Sequence, residues 1–296
     1  MSEKKRYISN RISLLLLSVL TLLLALDIFT GMFLKNLTNV EKMAIYLVIY
    51  VIPMAVYIRL ARVKASKILA LSFVKFKYLP FILLFGLSTS IICALINAGS
   101  AALFSNLLDI TPQETTVDFV SDRAFVLVIT SVILPAVCEE LLIRGIALSE
   151  YSRYGVSISV IMTSVVFALF HGNVTAIPAL FVAGVFYAVL THLFKSVWPA
   201  IICHLINNAL SLYISLHTDF IRYLLSDVIF IVVIVCLLFI ILYVTLRLLE
   251  KVIDDLGNKR RLKTNVKQLA YGDPLGSVYI WIFLALSIFI CVRNVL

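Results

Sequence analysis

Apolar residues run through this chain in long blocks, broken by short stretches where charge, proline and glycine gather. A membrane-crossing helix needs about 20 mostly apolar residues. Cutting the chain at the breaks gives nine such segments, roughly 12–34, 43–58, 79–106, 124–148, 156–171, 176–194, 197–215, 224–247 and 276–292. The pattern predicts an all-α, polytopic transmembrane helical bundle of about eight or nine spans. The second and fifth segments are short for a full crossing. The first follows a basic start (Lys4, Lys5, Arg6, Arg11). Its apolar run exceeds the roughly 7–15 residues of a signal-peptide core and no small-x-small site follows, so it is expected to remain as an anchor.

Composition narrows the class. Of 296 residues 62% are hydrophobic and 14% charged, with a mean hydropathy of +1.08. Soluble domains run at about 45–50% apolar and about 25% charged, so a water-soluble protein is excluded. Five cysteines (Cys93, Cys138, Cys203, Cys236, Cys291) fall inside apolar stretches without CxxC spacing and are expected to be small buried hydrophobes. The net charge of +9 sits in the N-terminus, in Arg59–Lys77, and after the eighth segment at Lys251, Lys259, Arg260, Arg261, Lys263 and Lys267. Lysine and arginine stay on the cytoplasmic side of short loops. Nine spans put all three basic stretches inside, the acidic stretch Asp109–Asp122 outside and the C-terminus outside. Topology and anionic lipid then account for the charge, and no nucleic-acid partner is expected. The polar connection from Glu250 to Gly276 is expected to include an interfacial helix.

Ionisable residues inside the spans carry the chemistry, because a charge at the centre of a spanning helix costs about 2.5–3.5 kcal/mol on insertion scales. The fourth span holds Glu139, Glu140 and Arg144, the fifth ends at His171, and the seventh holds His204 and Asn208; Asp27 and His192 stand apart. Glu140 and Arg144 are four apart with the acid first, the favoured order for an ion pair on one helix face. Glu139 points about 100° away and has no cation at i+3 or i+4. One carboxylate is thus structural and the other is free to exchange protons with water. His204 and Asn208 share a face, where two donors could hold an oxyanion or serve as interhelical hydrogen-bonding glue. A spare carboxylate, two histidines and an asparagine on three nearby spans suit the hydrolysis of an amide by activated water. Straight spans set His204 about 10 Å, Glu139 about 13 Å and His171 about 22 Å from the basic ends, so convergence demands tilted or partial crossings.

The same residues resemble a family. EELLIR (Glu139–Arg144) fits EExxxR, FALFH (Phe167–His171) fits FxxxH, FVAG (Phe181–Gly184) fits a third apolar motif and HLINN (His204–Asn208) fits HxxxN. In this order and spacing they resemble the CPBP group, the CAAX proteases and bacteriocin-processing enzymes also called Abi, which includes Rce1-type prenyl-protein endopeptidases. The resemblance implies a multi-pass intramembrane endopeptidase of a bacterial-type plasma membrane acting on a peptide or membrane-protein substrate. It implies that Glu139 and His171 activate water, that His204 and Asn208 form the oxyanion hole, and that Glu140 and Arg144 support the site. It divides the chain into N-terminal spans (1–123), a catalytic core (124–215) and C-terminal spans (216–296). No cofactor is expected, although one carboxylate and two histidines could bind zinc. Two positions depart from the pattern: Ala188 replaces a glycine, and Lys195 stands where a glycine often precedes Ser196-Val197-Trp198. Outside the enzyme class, the rival reading is a membrane scaffold or immunity protein using the same cavity. A proton-coupled transporter is disfavoured because no inverted repeat is present.

Overall fold

A computed structural model describes residues 3–32, 38–110, 124–260 and 274–295. Every long apolar block forms a helix, and among the described residues there is no strand. In oil each backbone N–H and C=O must find its partner within the segment, which leaves the helix as the solution. The helices are α1 (Glu3–Met32), α2 (Asn39–Ala61), α3 (Leu79–Leu108), α4 (124–151), α5 (Val156–Phe170), α6 (Ile177–Phe194), α7 (Trp198–Leu216), α8 (Thr218–Ser226), α9 (Val228–Arg260) and α10 (Val278–Arg293). Seven of them contain stretches long and apolar enough to cross a membrane; α5 and α10 are apolar but shorter. Together they are the nine expected segments, and the chain is a multi-pass membrane protein.

Local chemistry sets the helix ends. Thr38 and Glu41 make a reciprocal capping box at the start of α2. Pro80, Pro178 and Pro199 occupy the first turns of α3, α6 and α7, where the missing N–H costs nothing. Helix α4 is different. A π-helical stretch, Ile129–Ile133, runs up to Pro135, an α-helical turn Leu134–Glu140 follows, and a second π stretch spans Leu141–Ala147. A proline inside a helix removes one hydrogen bond and crowds the preceding turn, and the wider π winding absorbs that strain. Both glutamates ride on the α-helical turn between the two π stretches.

Helices α5, α6 and α7 pack around α4, with α2 on its remaining flank; α3 lies against α6 and α7, α10 against α1 and α5, and α9 against α3. The tightest seam joins α5 and α6, where a Cβ on Gly184 would stand 2.9 Å from Ser164 Cα. Small residues at such spacing let membrane helices approach closely. Ala188, one turn on, is fully buried, so this departure from the family pattern keeps a small side chain at the seam. Lys195 caps α6 in the left-handed conformation at φ 53°. A glycine there would carry no Cβ penalty, which explains the residue type the family prefers.

The described parts of the basic segments gather at one end of the bundle. The guanidinium of Arg11 lies 5.6 Å from the Tyr57 ring, Lys77 pairs with Asp255, and Val197 N–H donates to Ala70 C=O at 3.0 Å. Three sequence expectations change. The eighth segment is two helices, with the short α8 ahead of α9. The polar connection expected from Glu250 starts later, because α9 continues unbroken to Arg260; residues 261–273, where an interfacial helix was expected, lie outside the described residues. Four cysteines are buried but Cys236 is exposed, because α9 keeps most of its apolar surface on the outside, where hydrophobic sequence means lipid contact rather than core. Residues 111–122 of the acidic stretch, and Arg261, Lys263 and Lys267, lie outside the described residues.

Candidate active site

The residues singled out in the sequence converge where α4, α5 and α7 meet. Helices α4 and α5 form a hairpin about Gly155 (φ 119°), and Glu139 and His171 are each sixteen positions from that glycine. Antiparallel neighbours therefore bring them level. The depth mismatch expected from straight spans came from counting each segment from its own hydrophobic edge instead of from the shared turn.

Around Glu140 the site is closed. Its Oε1 accepts from Arg144 Nη1 at 2.9 Å and from His204 Nδ1 at 3.0 Å. Arg144 Nη2 also donates to the Gly184 carbonyl at 3.2 Å. The guanidinium lies 4.3 Å from the Phe167 ring centre and 5.4 Å from that of Tyr187, within cation–π range. His204 stacks on Tyr187 and meets Phe167 edge-on. Glu140, Arg144 and His204 are all buried. The i,i+4 spacing that predicted the ion pair survives the π winding, and the first aromatic of FxxxH supplies a wall for the arginine.

Around Glu139 only one carboxylate oxygen is satisfied by the protein. Oε1 accepts from the Tyr46 hydroxyl at 3.0 Å. Oε2 has no hydrogen-bond partner in the protein and faces His171 Nε2 across 3.8 Å. That gap is too wide for a direct hydrogen bond and suits a bridging molecule. His171 caps α5 and donates from Nδ1 to the Phe167 carbonyl at 2.9 Å. This fixes the tautomer, leaving the Nε2 lone pair toward Glu139 when the ring is neutral. The His171 side chain is 30% exposed, whereas that of Glu140 is 0% exposed. Asn208 is half-buried, with Nδ2 3.5 Å from the Val132 carbonyl in the first π stretch of α4.

Among the described residues no three His, Cys, Asp or Glu side chains gather as a metal-ligand group, and the nitrogen of His204 nearest a carboxylate is engaged with Glu140.

Sequence reasoning missed Tyr46, which is 93 residues before Glu139 on a helix without motif residues. Its one signal is the Tyr46/Tyr50 pair at i,i+4, two polar-tipped side chains on one face of an apolar span. It also left Asp27 and His192 without roles. His192 Nε2 lies 3.0 Å from Ser159 Oγ and joins α6 to α5. Asp27 pairs with Arg293 at 2.6 Å, and the neighbouring Asn294 donates from Nδ2 to the Gly172 carbonyl at 3.0 Å. Helices α1 and α10 thereby hold the turn just after His171. Gly172 sits at φ 60° under Ile290, whose Cγ2 would be 2.8 Å from an added Cβ.

No curated protein and no solved structure matches the chain. The stretch carrying both glutamates, both histidines and the asparagine does match a family model, that of the type II CAAX prenyl endopeptidase Rce1-like family, over residues 121–210. Over these residues the chain is similar to the Rce1-like family.

Proposed function

We propose that this protein is a CAAX-type intramembrane endopeptidase that cleaves a peptide bond by direct attack of water, with Glu139 as the general base. The observation that carries the reading is the pair of opposed acceptors, Glu139 Oε2 and His171 Nε2, 3.8 Å apart beside a sealed cationic network. A water admitted between them, by a small shift of either side chain, would stand about 2.8 Å from each. Donating one hydrogen to each acceptor, it turns its lone pairs outward to an entering carbonyl carbon.

As the new C–O bond forms, the proton shared with Glu139 passes to Oε2 and the carbonyl oxygen becomes an oxyanion. His204 and Asn208 are the donors for that charge. His204 gives Nδ1–H to Glu140, so its donor to the oxyanion is Nε2–H. In a water-poor site such preorganised donors contribute several kcal/mol, with about 2.7–4 kcal/mol measured for loss of one oxyanion donor elsewhere. Collapse of the tetrahedral intermediate breaks the C–N bond, and the proton on Glu139 goes to the leaving nitrogen. Water and one peptide bond become a carboxylic acid and an amine, without a covalent enzyme intermediate. The substrate in this reading is a membrane-associated peptide or protein, and the CAAX prenyl endopeptidase description of the matched family model supports a CAAX-type C-terminus.

The test is Glu139→Gln in purified protein with a membrane-associated peptide. General bases contribute about 10²–10⁴-fold, so cleavage falls at least a hundredfold while thermal unfolding stays in place. Undiminished cleavage by the variant refutes the mechanism.

A further inference from the structure

The hydrogen bond that Glu139 accepts comes from outside the matched segment. Tyr46 lies on α2, and its Oη–Oε1 contact of 3.0 Å joins two helices 93 residues apart in sequence. A carboxylate accepts and does not donate when ionised, so the hydroxyl is the donor. The two oxygens of a carboxylate are chemically equivalent, and a glutamate has three side-chain torsions with which to exchange them. With Oε1 tied to Tyr46, only Oε2 faces His171. The tyrosine is itself held: its ring centre lies 4.7 Å from that of Tyr50, one turn further along α2 and buried. A tyrosine has two ring-placing torsions and little freedom to lose, which makes it a stiff arm for this purpose.

The other groups close to Glu139 do not perform this task. His171 is on the opposite oxygen, Cys138 is its chain neighbour, and Arg144 is engaged with Glu140 and the Gly184 carbonyl. From this we infer that Tyr46 is a positioning residue for peptide hydrolysis, whose hydroxyl fixes the oxygen of Glu139 that takes the proton from water. The inference rests on the reading of Glu139 as base. It makes α2 a working part of the site although the family match begins at residue 121.

Tyr46→Phe removes the hydroxyl and keeps the ring. A hydrogen bond to a charged group corresponds to about 10–100-fold in rate, so kcat falls by that factor with KM unchanged, as expected of a residue that acts through Glu139. If Tyr46 only packs, Tyr46→Phe behaves as wild type and Tyr46→Leu alone loses activity; that pattern overturns the assignment. Infrared difference spectra supply a readout independent of cleavage. The Glu139 carboxyl band is identified by its loss in Glu139→Gln, and Tyr46→Phe shifts it. A band that stays in place shows that the hydroxyl does not hold the carboxylate and overturns the inference on its own. Cleavage retained by Glu139→Gln, by contrast, removes the peptidase reading while the band still reports whether Tyr46 grips Glu139.

Discussion

Glu139 and Glu140 are adjacent in sequence, share one helical turn and are both buried, yet their surroundings differ in kind. Glu140 is locked: one oxygen serves an arginine and a histidine, and two aromatic rings close the space around them. Glu139 is held by one oxygen and left open at the other, opposite a partly exposed histidine. The difference arises from direction. Successive residues on a helix point about 100° apart, so one carboxylate faces α7 and the other faces α2 and the end of α5. A buried charge without a complete set of partners is costly. Each glutamate keeps one oxygen without a hydrogen-bond partner; at Glu140 the Arg144 guanidinium compensates the charge, whereas Glu139 has a tyrosine hydroxyl on one oxygen and His171 at 3.8 Å from the other.

This contrast makes separable predictions. The largest concerns the locked side: Arg144→Ala leaves Glu140 charged and without its ion-pair partner, and such breaks cost about 3–5 kcal/mol. Thermal unfolding in detergent should collapse to a low temperature, whereas Glu139→Gln should leave it in place while abolishing cleavage. If both variants unfold alike, the two carboxylates are not different in kind. Gly184→Ala forces a methyl toward the Ser164 backbone at 2.9 Å and shifts the carbonyl that Arg144 uses. Overpacking of this sort costs about 1–3 kcal/mol, read as lower stability with loss of activity. On the open side, Asp27→Ala releases Arg293 and, through Asn294, the turn after His171. The pair is exposed and worth at most about 1 kcal/mol, so stability barely moves and kcat drops by less than about tenfold. The smallest effect is a gain: Lys195→Gly relieves a left-handed residue and stabilises by about 1 kcal/mol, without changing kcat.

The candidate site was legible in the sequence to different depths. The Glu140–Arg144 pair could be read from i,i+4 spacing alone, because both residues lie on one element and helix geometry is local. The nine apolar segments could be read for the same reason, since their length is set by the bilayer rather than by neighbours. Tyr46, Asn294 and the Asp27–Arg293 pair could not. Each reaches the site across a helix interface, and hydropathy says nothing about which faces of two apolar helices meet. The exposed Cys236 shows the same blindness, because a lipid-facing helix and a core helix are equally hydrophobic.

Left to itself, the sequence determined an all-helical membrane protein, the ion pair on α4 and the ionisable residues of the candidate site, since each follows from burial in oil or from the period of one helix. The tertiary structure decided that Glu139 and His171 stand level, that one glutamate is sealed and its neighbour open, and that α2 and α10 hold the site from outside the matched segment. Those facts depend on where one helix crosses another, which side-chain size and backbone approach set together and no single segment encodes.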